Sequence, residues 1–132
     1  MYYDRTNNVI IIGDAGNDRI IQFSLDNLST GGTVIAGTGE VGCALNQLNT
    51  PSGIGLDSAR QMYVSDPGCG QIRRYPPNSD SSTYAVVVAS DYSPEVISIN
   101  QLTDDLYVAA YYDHRVLKFS NGSTTGVVAA GK

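Results

Sequence analysis

The chain has 132 residues, of which 42% are hydrophobic, 16% charged and 8% aromatic, enough apolar material for one folding unit and too little for two. Eight Lys and Arg against thirteen Asp and Glu leave a net charge of −5, which repels nucleic-acid phosphates and anionic membrane surfaces. Apolar runs such as Val9 to Ile12 and Ala85 to Ala89 fall far short of the roughly 20 residues that span a bilayer. Neither a nucleic-acid partner nor a membrane span is therefore expected.

Fourteen glycines and five prolines set turns at short intervals and argue against long helices. Met1 to Arg5 shows no basic stretch leading into an apolar run, so no signal peptide is read there. Taken in chain order, the sequence repeats itself. Asn8-Val-Ile-Ile-Ile-Gly-Asp14 is followed by Ala-Gly-Asn-Asp-Arg19-Ile-Ile-Gln-Phe23. Gln61-Met-Tyr-Val-Ser-Asp66 is followed by Pro-Gly-Cys-Gly-Gln71-Ile-Arg-Arg-Tyr75, and Asp105-Leu-Tyr-Val-Ala-Ala110 by Tyr-Tyr-Asp-His-Arg115-Val-Leu-Lys-Phe119. Ile20, Ile72 and Val116 lie 52 and 44 residues apart, and Phe23, Tyr75 and Phe119 keep the same two intervals.

A second module, Pro51-Ser-Gly-Ile54-Gly-Leu56-Asp57, matches Pro94-Glu-Val-Ile97-Ser-Ile99-Asn100 at an offset of 43, and Tyr2-Tyr3-Asp4 aligns with its end. Short β-rich runs complete each copy: Thr33 to Ala36, Ala85 to Ala89 and Gly126 to Ala130. Each copy reads as four short strands rich in Val, Ile and Tyr between turn-forming clusters. Four strands at a period near 44 residues predict an all-β fold, a β-propeller of four-stranded antiparallel blades. The single segment 1–132 holds three blades, at about 1–37, 51–90 and 94–131. Propellers typically hold about four to eight blades, so three leave two apolar faces to be covered. Two copies can pair into a six-bladed ring, the blades can belong to a longer polypeptide, or copies can stack into a filament.

Tyr-Val-Ser-Asp-x-Gly-x-x-x-Ile, with Pro-x-Gly-Ile-x-Leu-Asp before it and Val-Ile-Ala-Gly-x-Gly ahead of that, resembles the NHL repeat over nearly the whole chain. The segment Gly13 to Ile20 is closest to that family's Asp-x-Gly-Asn-x-Arg-Ile core. Copy two departs with Cys69 and Gln71, and copy three with Ala110 and Tyr112. The recurring polar residues are expected to serve blade geometry. Asp14 and Asp66 accept turn N–H groups, Gly16 and Gly68 supply positions of positive φ, and Arg19 and Arg115 pair with such an Asp.

The resemblance also implies where catalysis would sit, since propeller enzymes of this kind, lyases or lactonase-like hydrolases, place metal ligands around the central channel. The residues offer no such set, and no catalytic residue, metal site or cofactor is expected. His114 is the only histidine and reads as a turn residue, whereas zinc needs three or four N or S ligands. Asp104-Asp105 reads as a turn. Asp14, Asn17 and Asp18 lack the acidic count of a calcium loop. Gly37-Thr-Gly39-Glu-Val-Gly42 fits a dinucleotide fingerprint by letters, but no crossover helix follows. An RNA-binding role, known for some NHL domains, finds one basic pair, Arg73-Arg74, against the net charge of −5.

Cys43 falls in the connection from an outer strand to the next blade, and Cys69 in the turn between the next blade's second and third strands. Both loops emerge on one face of alternating strands, so a Cys43–Cys69 disulfide is expected, with an oxidising compartment. Asn27-Leu-Ser29 and Asn121-Gly-Ser123 are N-glycosylation sequons on the opposite face. Together these predict a non-enzymatic, extracellular or secreted scaffold. Its partners would be proteins, carbohydrates or further copies of itself at the exposed blade faces, with N-glycans at Asn27 and Asn121. The alternatives are part of a propeller enzyme with a channel metal, and a polymerising filament subunit.

Overall fold

The computed structural model describes residues 1–131. Twelve strands form three four-stranded antiparallel sheets, each in sequence order. The first holds β1 (Tyr2–Asp4), β2 (Val9–Asp14), β3 (Arg19–Ser24) and β4 (Thr33–Ala36). The second holds β5 (Ile54–Leu56), β6 (Met62–Asp66), β7 (Gln71–Tyr75) and β8 (Val86–Ser90), and the third β9 (Pro94–Asn100), β10 (Asp105–Ala110), β11 (Arg115–Phe119) and β12 (Val127–Gly131).

The turns repeat with the sheets because the same backbone problems recur. After each inner strand the side chain of Asp4, Asp57 or Asn100 accepts a backbone N–H two residues on, from Thr6, Ala59 and Leu102, an Asx-turn. The turn ends in a left-handed residue, Asn8, Arg60 or Asp104, with φ of 51°, 63° and 58°. The turn between second and third strands ends likewise, at Asp18 (φ 50°), Gly70 (φ 63°) and His114 (φ 53°). Asp18 and Gly70 carry the positive φ that was expected two positions earlier, at Gly16 and Gly68. Gly16 and Gly68 have no positive φ. A Cβ on Gly16 would meet nothing, whereas one on Gly68 would lie 2.3 Å from Asn49, so Gly68 serves close approach. Each outer strand joins its neighbour through a β-bulge at one equivalent place, Ile20/Ile21, Ile72/Arg73 and Val116/Leu117, which sharpens the local twist.

Strand alternation gives every sheet a front face, turned toward the next sheet, and a rear face. Ile11, Ile20 and Ala36 on the front of the first sheet pack against Ile54, Leu56, Met62, Val64 and Tyr75 on the rear of the second. Ile72 and Ala89 on the front of the second pack against Ile97, Leu106, Val108, Leu117 and Phe119 on the rear of the third. Each such large side chain, fully buried, stabilises the fold by about 1.5–3 kcal/mol. The backbones of successive sheets come so close that a Cβ on Gly13 would lie 2.8 Å from the Pro51 carbonyl oxygen. Ser65, at the equivalent place in the second sheet, instead accepts the Gly53 N–H at 2.6 Å and donates to the Glu95 carbonyl at 3.1 Å.

Candidate functional site

The link from the first sheet to the second, residues 37–53, is long and irregular, and its carbonyls need donors. Arg73 supplies them. Its side chain is fully buried, and its guanidinium donates to the carbonyls of Cys43 at 3.0 Å, Ala44 at 2.6 Å and Gln47. Its Nε donates to Gln71 and stands 3.2 Å from Asp66 Oδ2, in ion-pair range. Asp66, also fully buried, accepts the Asn49 N–H at 2.8 Å on its other oxygen. Burial pushes the Asp66 carboxyl up to about 6 against the opposing pull of the Asn49 N–H and Arg73. Cys43 and Cys69 are joined, S–S 2.02 Å and Cα–Cα 5.7 Å, so the link is also covalently fixed to the turn between β6 and β7. The pair Arg73-Arg74 is thus no basic patch, because adjacent strand residues point to opposite faces and Arg73 is inside.

The recurring Asp and Arg residues behave differently in each sheet. Asp14 pairs with Arg19 at 2.9 Å, and that guanidinium, with Asn17, holds its carboxyl below the usual range. In the second sheet Gln71 stands opposite Asp66, and the arginine comes from Arg73 instead. In the third, Ala110 stands opposite Arg115, so Arg115 does not make the expected pair and its buried Nε has no hydrogen-bond partner. The missing carboxylate was visible in the sequence as Ala110. Arg73, the residue that organises the link, was not, since nothing in a sequence shows which carbonyls a loop will strand.

The other chemistry-bearing residues also have structural partners. Asp18 accepts the Thr50 N–H at 2.9 Å. Asp104 accepts from both the N–H and the hydroxyl of Ser58. Asp105 pairs with Lys118 at 2.9 Å, and Lys118 holds its carboxyl below the usual range. The two adjacent aspartates therefore serve different neighbours. His114 is an exposed turn residue. The glycine-rich stretch lies in the link, where Gly42 donates to the Leu48 carbonyl. Asn27 and Asn121 are both exposed, in connections between third and fourth strands, opposite the disulfide. The Ser29 hydroxyl donates to Asn27 Oδ1 at 2.7 Å.

Several surfaces remain open. A cleft of about 310 Å³ between the first two sheets is bordered by Gln22, Arg60 and Pro76–Pro77, and one of about 200 Å³ at the equivalent place between the second and third by Arg74, Asp104 and Asn121. On the front of the third sheet, Val96, Ala109, Val116 and Ala130 line a shallow apolar hollow of about 340 Å³. Beside it stand exposed Tyr111 and Tyr112, edge to face at 5.2 Å. On the rear of the first sheet, Tyr3, Ile10, Ile12, Ile21, Phe23 and Val34 share one face by register.

No protein-family model matches the chain, and no curated protein matches it. Among solved structures it is similar to a chain in the crystal structure of a nidogen/laminin complex, with 20% identity and a TM-score of 0.78. The likeness covers 98% of this chain and 46% of that one, so this chain spans about half the length of the solved chain. With three antiparallel four-stranded sheets packed front to rear and no α-helix among the described residues, the chain is a set of three β-propeller blades.

Proposed function

We propose that this chain is a non-enzymatic, extracellular, NHL-like propeller scaffold that binds protein. The observation that carries the reading is the apolar sheet face left open at each end of the blade stack. Val96 on the front of the third sheet is 63% exposed and Tyr3 on the rear of the first 50%, apolar surface of the kind that marks contact sites. The tyrosine pair adds rigid, amphipathic side chains of the kind that anchor protein contacts. The solved neighbour was determined as a complex of two proteins, which fits this use of the fold. The carboxylates Asp14, Asp66, Asp104 and Asp105 are each held by neighbouring residues.

The extracellular part of the reading is supported by the Cys43–Cys69 bond, which suits an oxidising compartment. The two exposed sequons, on the face away from it, add to this. The test is secretion of the chain from eukaryotic cells, with intact mass recorded before and after reduction and enzymatic deglycosylation. Glycan mass at Asn27 and Asn121, abolished by Ser29→Ala and Ser123→Ala, and two hydrogens gained on reduction are expected. Free thiols and a mass without glycans would overturn the extracellular reading.

A further inference from the structure

We infer that the seam between the first and second sheets binds a short extended peptide in which a carboxylate side chain stands beside a large aliphatic one. The class of ligand comes from the protein-binding reading above, and the inference rests on it. The cleft of about 310 Å³ along this seam has the size of a ligand site, about 300–1,000 Å³. The first sheet supplies one of its walls and the second the other, so its shape does not depend on what covers the ends of the blade stack. Ile11, Leu56 and Met62 form its floor, each buried, and exposed Pro76 and Pro77 border it with rigid rings. Asn7, Gln22 and Asn78 line it with amides, each a donor and an acceptor of the kind that a peptide unit pairs with.

Charge selects the ligand. Arg60 lines the cleft with its side chain 40% exposed and donates from one Nη to Asp4. Asp4 is buried, and its other oxygen accepts the Thr6 N–H. The carboxylate thus holds the guanidinium from beneath while the rest of the N–H fork remains for a ligand. A second hollow, of about 390 Å³, shares Asp4 and Arg60 with the first and adds exposed Arg5. Its other carboxylate, Asp57, is buried and takes the N–H groups of Ala59 and Gln61. In a chain of net charge −5, the side chains that carry charge to solvent along this groove are therefore arginines. The aliphatic neighbour follows from chain geometry, since Arg60 lies in the turn joining β5 to β6, just beyond the paired Leu56 and Met62. No aromatic residue lines the cleft among the described residues, which leaves a sugar ring no face to stack on. The equivalent cleft between the second and third sheets differs at these same places. Asp104, half-buried, stands where Arg60 does, Tyr63 where Ile11 does, and Asn121 of the sequon where Pro77 does, and the volume falls to about 200 Å³. Its arginine, Arg74, shares the lining with that carboxylate.

The test is selection on the purified, disulfide-bonded chain from a phage-displayed library of random short peptides, followed by calorimetry with the selected sequences. These should share Asp or Glu beside Leu, Ile or Met. Arg60→Asn introduces the residue type that Asn8 holds at the same left-handed position of the first sheet. It should weaken binding about ten- to a hundredfold, as for a lost hydrogen bond to a charged group. Because this change also frees Asp4, the peptide is altered too. Replacing its acid by the amide should cost the wild type as much and the Arg60→Asn variant nothing further, a coupling that loss of folding cannot produce. Gln22→Glu, isosteric and on the opposite wall, should weaken the same peptides, whereas Arg74→Ala in the second cleft should not. Selected peptides without an acid, or a heparin oligosaccharide bound in their place and released by Arg60→Asn, would overturn the inference. So would an empty selection, while glycan and disulfide masses decide the extracellular reading independently. Peptides that bind regardless of Arg60→Asn and Gln22→Glu would sink the seam site and leave the protein-binding reading standing.

Discussion

The two internal blade interfaces solve the same packing problem by different means. Between the second and third sheets only Asp91, Tyr92 and Ser93 intervene, and an almost wholly apolar cluster closes the gap. Between the first and second the chain takes residues 37–53, and the same kind of apolar contact is overlaid with a buried arginine, a buried aspartate and a disulfide. The difference follows from length. A three-residue link strands few backbone groups, whereas a long irregular one leaves carbonyls that must find donors without the help of a sheet. A single guanidinium, with five N–H donors in a fixed fork, answers several of them at once.

The comparison can be broken most severely at Arg73. Arg73→Ala leaves Asp66 buried without its counter-charge and three carbonyls without a donor. A loss of about 3–5 kcal/mol is expected from breaking a buried pair, read by chemical denaturation. In the other interface, Leu117→Ala removes an apolar side chain 3% exposed and should cost about 2–5 kcal/mol. It should add independently to a change at Arg73, because the two sites share no partner. Reducing the Cys43–Cys69 bond should lower stability by about 2–4 kcal/mol, seen as a fall in melting temperature absent from a Cys43→Ser/Cys69→Ser variant.

A smaller effect separates the interfaces by pH. The folded Asp66 carboxyl, raised to about 6 from 3.8, takes up its proton before the unfolded chain does. Its contribution is therefore most favourable below the unfolded value, falls as pH rises from about 4 to about 6, and is constant above. Urea titrations at pH 7 and pH 5 should show the wild type gaining on Asp66→Asn as the solution is acidified. A difference that stays flat would mean an ordinary carboxyl. Asp14 and Asp105, held low by Arg19 and Lys118, act in the opposite direction and at lower pH. A further loss is expected from Arg60→Ala. It opens the Arg60–Asp4 pair across the first interface, in which the arginine is 40% and the aspartate only 5% exposed, and about 1–3 kcal/mol is expected from the buried carboxylate oxygen left without its donor.

The strands and their grouping were legible in the sequence because the apolar residues obey strand alternation while Asp, Asn and Gly mark the turns. The cysteine pairing was legible because loop faces follow from strand direction alone. The positive-φ positions were misread at Gly16 and Gly68, since residue type drew attention to glycine. The telling column was Asp18, Gly70 and His114, always two residues before the buried or half-buried Ile20, Ile72 and Val116. Arg73 was hidden for another reason. Its role depends on carbonyls up to 30 residues away in sequence, and local pattern carries no trace of such a partner.

The bond between Cys43 and Cys69 also has a bearing on how the chain survives cleavage. It bridges 26 residues, a stretch that begins with the surface peptide around Leu45, itself 42% exposed. A protease that nicks this peptide severs the backbone without releasing either piece. The clipped molecule would migrate as one band until a thiol reagent is added, and its damage would go unnoticed on any non-reducing gel.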